Sequence, residues 1–443
     1  MGRENIEKYS IGYSIIKSIF KFWHNNIYYR RVIVLGRNHI DYDKHLIFAP
    51  NHQNALMDAL AVVFSHKGQP VFLARADIFR KKFVASLLYF LKILPVYRIR
   101  DGYSALKENS EIFNKTIDVI RHKNGLVILP EGDHAGYRRL RRLKKGICRI
   151  AFQSEQAFDY NLNLQIIPVG LEFTNYNRLR QVLTVVYGKP IEVSDYHQLH
   201  MESPEIAMNK LRDKLSSEMM RIIVHIESEE DYEAIDELRS IINGRFSDNI
   251  RYPKLFRDRV LIENLNRLKT INKALYHKIC SLTLKVKQKT RDLNLTYRLL
   301  EKKKHLISWL IAGATGIIAT FPLFIYGSIF TLTFLTLPRL RAKKIKDIQF
   351  QSTFMYGISL ALALIVLPLL FVIALSVFSP WWLGILIFLS LPVSGWFAWN
   401  YSILFQRIIG GFRIRNYIRT KNEDYFSLKK NHHELLNIIE TLR

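Results

Sequence analysis

From Tyr28 onward the chain alternates two textures. Short apolar, β-branched and aromatic runs recur: "RRVIVLG", "HLIFAP", "PVFLAR", "ILPVYRIR", "GLVILPEG", "LQIIPVGLEF" and "VLTVVYG". Stretches with helical spacing, such as 55–64 and 104–121, lie between several of them. Apolar strands alternating with helices predict an α/β domain over residues 28–195 with a largely buried sheet. Ahead of it, residues 1–27 carry an amphipathic helix in which Ile15, Ile16, Ile19, Phe20 and Phe22 alternate with Lys17 and Lys21. Such a helix either packs on its own domain or lies in a membrane interface. Behind it, residues 196–305 read as a helical extension; "SEEDYEAIDELRSI" places acids where a helix starts.

Residues 306–406 have the texture of membrane segments. The runs 354–378 and 381–405 hold no charge and are long enough to cross about 30 Å of hydrocarbon. Trp381, Trp382, Trp396 and Trp399 suit the aromatic belts of membrane interfaces. The run 307–337 is long for one upright crossing, has Pro322 and Gly327 in its middle, and is basic on both flanks. A bent or re-entrant hairpin keeps both flanks on one side, as the positive-inside tendency requires; one long tilted helix is the competing form. The expected topology puts every soluble part, including the basic tail 407–443, on the cytoplasmic face, which for a bacterium is that of the inner membrane.

Charge and cysteine content narrow the class. The 443 residues carry a net charge of +27. Nucleic acid and anionic membrane surface are the two common partners of so basic a chain. Basic residues beside the membrane runs account for much of the excess, and no nucleic-acid-binding signature is visible, so membrane lipid is expected and nucleic acid is not. Cys148 and Cys280 are far apart and lack metal-ligand spacing, which predicts a reducing compartment and no disulfide. The opening segment, broken by lysines, reads as neither a cleaved signal peptide nor a myristoylation signal.

Four stretches carry candidate chemistry. In "APNHQNALMDAL", His52 follows an apolar strand and Asp58 sits in the helix after it. A histidine there can accept a proton, and a carboxylate can hold its ring in one tautomer. Six positions along a helix turn through about 600°, so the pair meets only if His52 lies in the turn and Asp58 reaches back. In "LPVYRIRDG", Arg98 and Arg100 point to one face of a β-like run and suit a phosphate; an exposed edge strand would look the same. In "LVILPEGDHAGYRR", Glu131 and Gly132 end an apolar strand, where open α/β sheets bind ligands. Asp133 and His134 follow, so a metal site is conceivable, but no further His or Cys cluster supports one. In "IIPVGLEF", Pro168 interrupts a strand and implies an edge or a bulge.

The order and spacing of these four stretches resemble the glycerolipid acyltransferase family, the group of lysophosphatidate and glycerol-3-phosphate acyltransferases, over roughly residues 30–190. "IKDIQFQSTFMYG" is similar to the fungal-type glycerol-3-phosphate/dihydroxyacetone-phosphate branch. Most members have four residues between His and Asp. Here Gln53, Asn54, Ala55, Leu56 and Met57 make five, as in that branch. Asp133-His134 also departs from the family's usual residues after Glu-Gly.

The resemblance implies a mixed sheet flanked by helices, with a helical extension and a C-terminal α-helical membrane region. It implies acyl transfer from a thioester, acyl-CoA or acyl-carrier protein, to a hydroxyl of 1-acylglycerol 3-phosphate or glycerol 3-phosphate, or of another lysolipid such as a lyso-aminolipid. His52 would be the base and Asp58 its partner. Arg98 and Arg100 would take the acceptor phosphate, Glu131 and Gly132 would complete that site, and Pro168 would shape the acyl pocket. No metal or other cofactor is expected. The rival readings are a metal-dependent hydrolase using His52, Asp58, Asp133 and His134, and a non-enzymatic membrane scaffold or transporter.

Overall fold

A computed structural model of the chain describes residues 3–96, 104–244, 253–300 and 306–442. It divides into two compact units: Met1–His225 with Asp347–Thr353, and Ile226–Lys346 with Phe354–Arg443.

The first unit is built on one eight-stranded sheet. Its strands are β1 (Arg31–Leu35), β2 (His45–Pro50), β3 (Val71–Arg75), β4 (Ile93–Val96), β5 (Leu126–Val127), β6 (Leu164–Phe173), β7 (Val182–Tyr187) and β8 (Ile191–Glu192), in spatial order β1-β7-β6-β2-β5-β3-β4 with β8 beside β6. Strands β6, β2, β5, β3 and β4 run parallel, and the turn to antiparallel comes between β6 and β7. The sheet is therefore mixed. Helices α1 (Ile11–Phe22), α2 (Leu56–Ser65), α3 (Lys82–Phe90), α4 (Ser104–Arg121) and α5 (Gly146–Gln156) accompany it. Covering both faces is why the strands read as near-continuous apolar runs: every residue of β6 and of β7 is buried.

Pro168 sits inside β6, where an edge strand or a bulge was expected. It is not on an edge, because β2 pairs with β6 across Ala49↔Pro168. On the opposite side β6 pairs with β8 at Ile166 and with β7 from Val169, so Pro168 faces the break between those partners. Its carbonyl accepts from Gly188 N–H at 2.8 Å there. A residue with no N–H to give is tolerated where the ladder is already interrupted.

Helix α1 divides its two readings between its faces. Tyr13 is buried, and Lys17 Nζ donates to the carbonyls of His66 and Gly68 at 3.1 and 2.6 Å. Buried Lys92 likewise donates to the carbonyls of Ile6 and Lys8. Burial draws both ammonium groups down to about 8. The other face leaves Ile11, Ile15, Ile19 and Phe22 exposed.

The second unit is helical. Helices Tyr232–Ile242 and Lys254–Ile271 are tied by buried Asp258, which accepts from Arg239 and Asn243, both at 2.7 Å, and pairs with Lys254. Among the described residues, three helices are long and apolar enough to cross a membrane: Phe321–Ala342, Ile348–Val377 and Trp381–Arg419. The run 307–337 is not one unbroken helix. It breaks at Thr320, between Leu306–Ala319 and Phe321–Thr331, with Pro322 in the first turn of the second piece, where proline's missing N–H costs nothing. Both pieces pack on Trp381–Arg419: Tyr401 donates to the Ile317 carbonyl at 3.0 Å and stacks on Phe324 with centroids 4.4 Å apart. Beyond that helix, Glu423–Thr441 forms a further helix packed on Lys273–Asp292. Cys148 and Cys280 are buried and unpaired.

Candidate active site

Three neighbouring parallel strands, β6, β2 and β5, end at one edge of the sheet. The carboxyl ends of parallel strands are where open α/β sheets place their chemistry. β2 delivers Asn51 and His52 to that edge, the chain after β5 delivers Glu131, and β6 passes between them and β7.

His52 lies in the turn before α2, and Asp58 in the first turn of α2 reaches back to it. His52 Nδ1 and Asp58 Oδ2 are 2.9 Å apart. The same oxygen accepts from the backbone N–H groups of Gln53 and Asn54, both at 2.7 Å. Asp58 is fully buried, whereas 17% of the His52 side chain is exposed. A carboxylate accepts only, so Nδ1 carries a proton, and in the neutral ring Nε2 keeps its lone pair. Among the described residues nothing hydrogen-bonds Nε2.

Two buried side chains fix this turn. β2 stops at Pro50 while β6 runs on to Phe173, which leaves β6 backbone groups on that side without a strand partner. Asn51 supplies one: its Oδ1 accepts from Leu171 N–H at 2.6 Å and its Nδ2 donates to the Leu171 carbonyl at 3.1 Å. Asn51→Asp is nearly isosteric but turns an acceptor toward that carbonyl. Asn51→Ala leaves both Leu171 groups unpaired and is expected to cost roughly 2–6 kcal/mol, at about 1–3 each, while Asn51→Asp keeps the acceptor and is expected to cost about 1–3 kcal/mol or more for the carbonyl it faces. Urea midpoints of the purified protein measure this, and an unchanged midpoint refutes the strand-mimic role.

Glu131 braces the turn from the side of β5. Its Oε1 accepts from His52 N–H at 2.7 Å, and its Oε2 from the N–H and Nε of Arg141 at 3.1 and 3.2 Å. Burial holds this carboxyl above its ordinary range, opposed by the His52 N–H and Arg141. His134 completes the flank, its ring centroid 5.3 Å from that of His52 in an edge-on arrangement. Burial lowers the His134 pKa, opposed by the neighbouring carboxylates.

A model of the Acyltransferase family matches residues 31–172. Glycerol-3-phosphate O-acyltransferase 2 of Saccharomyces cerevisiae is 26% identical over 134 residues, covering 30% of this chain and 18% of that protein. Glycerol-3-phosphate O-acyltransferase 1 of the same yeast is 25% identical over 170 residues, covering 37% and 21%. Residues 31–172 thus form a domain similar to the Acyltransferase family. The matched segment spans about a fifth of the yeast proteins' length, 18% and 21%. Among solved structures, the 1-acyl-sn-glycerophosphate (LPA) acyltransferase PlsC from Thermotoga maritima aligns over 46% of this chain and 78% of its own, with 15% identity and a TM-score of 0.32.

The acyltransferase turn here holds five residues between His52 and Asp58, and Ala55 closes it at φ 45°, ψ −128°. That backbone is strained for any residue with a Cβ, and Ala55 is buried. Ala55→Gly is expected to raise the unfolding midpoint slightly or leave it. Ala55→Val is expected to lower stability by about 1–3 kcal/mol and to reduce activity with it. Thermal unfolding of both variants reads this directly, and a valine variant as stable as wild type would show that the turn is not held where it is described.

Gly132, which follows β5, has φ +73°, and a Cβ there would meet Lys144 Cγ at 3.3 Å. Arg98 and Arg100 lie outside the described residues; the strand that leads to them, β4, is parallel to β3. Asn51, the backbone bond from His52 to Glu131, and the His134 flank did not emerge from sequence reasoning. A buried amide or carboxylate declares its partner only once the strands are in register.

Proposed function

We propose that this chain moves a fatty acyl group from a thioester to a hydroxyl of a glycerophosphate in membrane lipid synthesis. The observation that carries the reading is the 2.9 Å bond from His52 Nδ1 to buried Asp58, which leaves Nε2 as the lone-pair face at the ligand-binding edge of an acyltransferase-family sheet. His52 Nε2 takes the proton as the acceptor hydroxyl attacks the thioester carbonyl, and Asp58 stabilises the imidazolium that forms. The new ester C–O bond forms as the C–S bond breaks. The departing thiolate needs little acid help, because a thiol pKa is about 8.5. Nothing in this scheme requires a metal or cofactor. Among the described residues no group of three or more His, Cys, Asp or Glu side chains is arranged to hold a metal ion. The rival hydrolase reading predicts loss of activity with chelator, and the acyltransferase reading predicts none.

The names of the two yeast relatives favour glycerol 3-phosphate as the first acceptor to offer, with 1-acylglycerol 3-phosphate next and other lysolipids after it. Arg98 and Arg100 are the candidate phosphate ligands, Gly132 a candidate backbone approach to the acceptor, and Pro168 a candidate wall of the acyl pocket. Glu131, with both oxygens engaged by protein groups, supports a role in holding His52 in place. The three candidate spans support attachment to a membrane, and the basic flanks of those spans favour a cytoplasmic catalytic domain. Such a face would also attract anionic lipid and the phosphates of acyl-CoA.

The test is acylation by membranes containing the full chain, with labelled acyl-CoA and then acyl-carrier protein as donor and each acceptor supplied separately. Labelled product on one phosphate-bearing acceptor is the expected result. Absence of product with every donor and acceptor would leave the scaffold reading in its place.

A further inference from the structure

The segment Asp347–Thr353 is distant in sequence from the acyltransferase domain yet belongs to the same compact unit. It opens the helix Ile348–Val377, with Asp347 Oδ1 accepting from Gln349 N–H at 3.0 Å. Four contacts seat it on the site. Ser352, only 1% exposed, donates from Oγ to Asn54 Oδ1 at 2.5 Å. Its carbonyl accepts from the buried Tyr28 hydroxyl at 3.0 Å. The Phe350 ring stands edge-on to His134, centroids 4.9 Å apart, and His134 in turn stands edge-on to His52. Gln349 lies over Gly136, where φ is +66° and an added Cβ would come within 3.2 Å of Gln349 Cγ.

We infer that Ser352 is a positioning residue for His52, acting through Asn54, and that Phe350 backs the His134 flank of the same ring. Asn54 gives its N–H to Asp58 Oδ2, the oxygen that holds His52 Nδ1. Asn54 is buried, and its Oδ1 takes the Ser352 hydroxyl. Removing that hydroxyl frees the Asn54 side chain and loosens the turn that presents the base. The first turns of a candidate membrane span thereby complete the catalytic turn of the soluble fold. The inference rests on the acyltransferase reading for its consequence, but not for its geometry.

The experiment uses the full chain and two readouts. Amide hydrogen exchange of peptides covering 51–58 is compared in wild type, Ser352→Ala, Asn54→Ala and the double variant, with β6 peptides as the internal reference. Turnover is measured with acyl-CoA and glycerol 3-phosphate. Ser352→Ala is expected to speed exchange at 52–54 about tenfold while β6 stays unchanged. It is expected to lower kcat about tenfold with KM for either substrate within about twofold. In the Asn54→Ala background it is expected to add nothing. Exchange at 52–54 that matches wild type in Ser352→Ala, or additive effects in the double variant, overturns the inference. A wild type that acylates no acceptor, with faster exchange in Ser352→Ala, leaves the inference standing and removes the acyltransferase reading instead.

Discussion

On the proposed function, His52→Ala is expected to reduce acyl transfer by about 10²–10⁴-fold, the range set by losing a positioned general base, while the protein level stays unchanged. The second half of that expectation follows from how His52 is held. What ties its backbone to the fold is the N–H bond to Glu131, which alanine keeps. The imidazole makes its hydrogen bond to Asp58 from a partly exposed position, so removing it opens no sealed cavity. The loss should fall on kcat, because the proton moves only as the hydroxyl attacks, and KM for either substrate should change little. Initial rates with labelled acyl-CoA and glycerol 3-phosphate, normalised to protein in the membrane, decide it. Equal rates for variant and wild type would remove His52 as the base and the mechanism with it.

β1 to β7 are legible because a sheet covered on both faces writes itself as apolar runs with polar breaks. β8, two residues long at Ile191–Glu192 like β5 but without an apolar run around it, has no such signature. The placement of His52 and Asp58 followed from arithmetic: six helical positions cannot share a face, so one residue had to precede the helix, and α2 begins at Leu56. Pro168 misled in part. Proline argues against a central strand through its missing N–H, yet a central strand tolerates it where one neighbour changes identity, and that depends on the tertiary path of β7 and β8. The resemblance gives Glu131 a place in the acceptor site; its protein partners, His52 N–H and Arg141, are fixed by how β5 lies against β2 and had no local signal. The seat of Asp347–Thr353 on the site had no local signal, since nothing within "DIQFQST" names Asn54 or His134 as its neighbour.

Asp58 separates two roles that the His52 pair combines, and two substitutions distinguish them. Three donors converge on Oδ2: the His52 ring and the Gln53 and Asn54 amides. The other oxygen, Oδ1, is buried and has no hydrogen-bond partner among the described residues. Asp58→Asn can therefore set its carbonyl oxygen in the Oδ2 position, keep all three donors, and hold Nδ1 protonated. It loses only the negative charge that stabilises the imidazolium, and it leaves a buried NH₂ unpaired at about 1–3 kcal/mol. Asp58→Ala loses the charge and the acceptor together, so two backbone N–H groups and the ring are left unheld. The asparagine variant is expected to lose less activity than the alanine variant, whose fall is expected to approach the ~10⁴-fold that an impaired orienting carboxylate costs a Ser-His-Asp triad. The alanine variant should also lose more stability. If instead Asp58→Asn is as inactive as Asp58→Ala, the amide has turned its NH₂ toward His52 and forced the wrong tautomer. That outcome would assign Asp58 chiefly to tautomer control, with its charge secondary. Rates and urea midpoints measured together on the same preparations keep loss of fold apart from loss of chemistry.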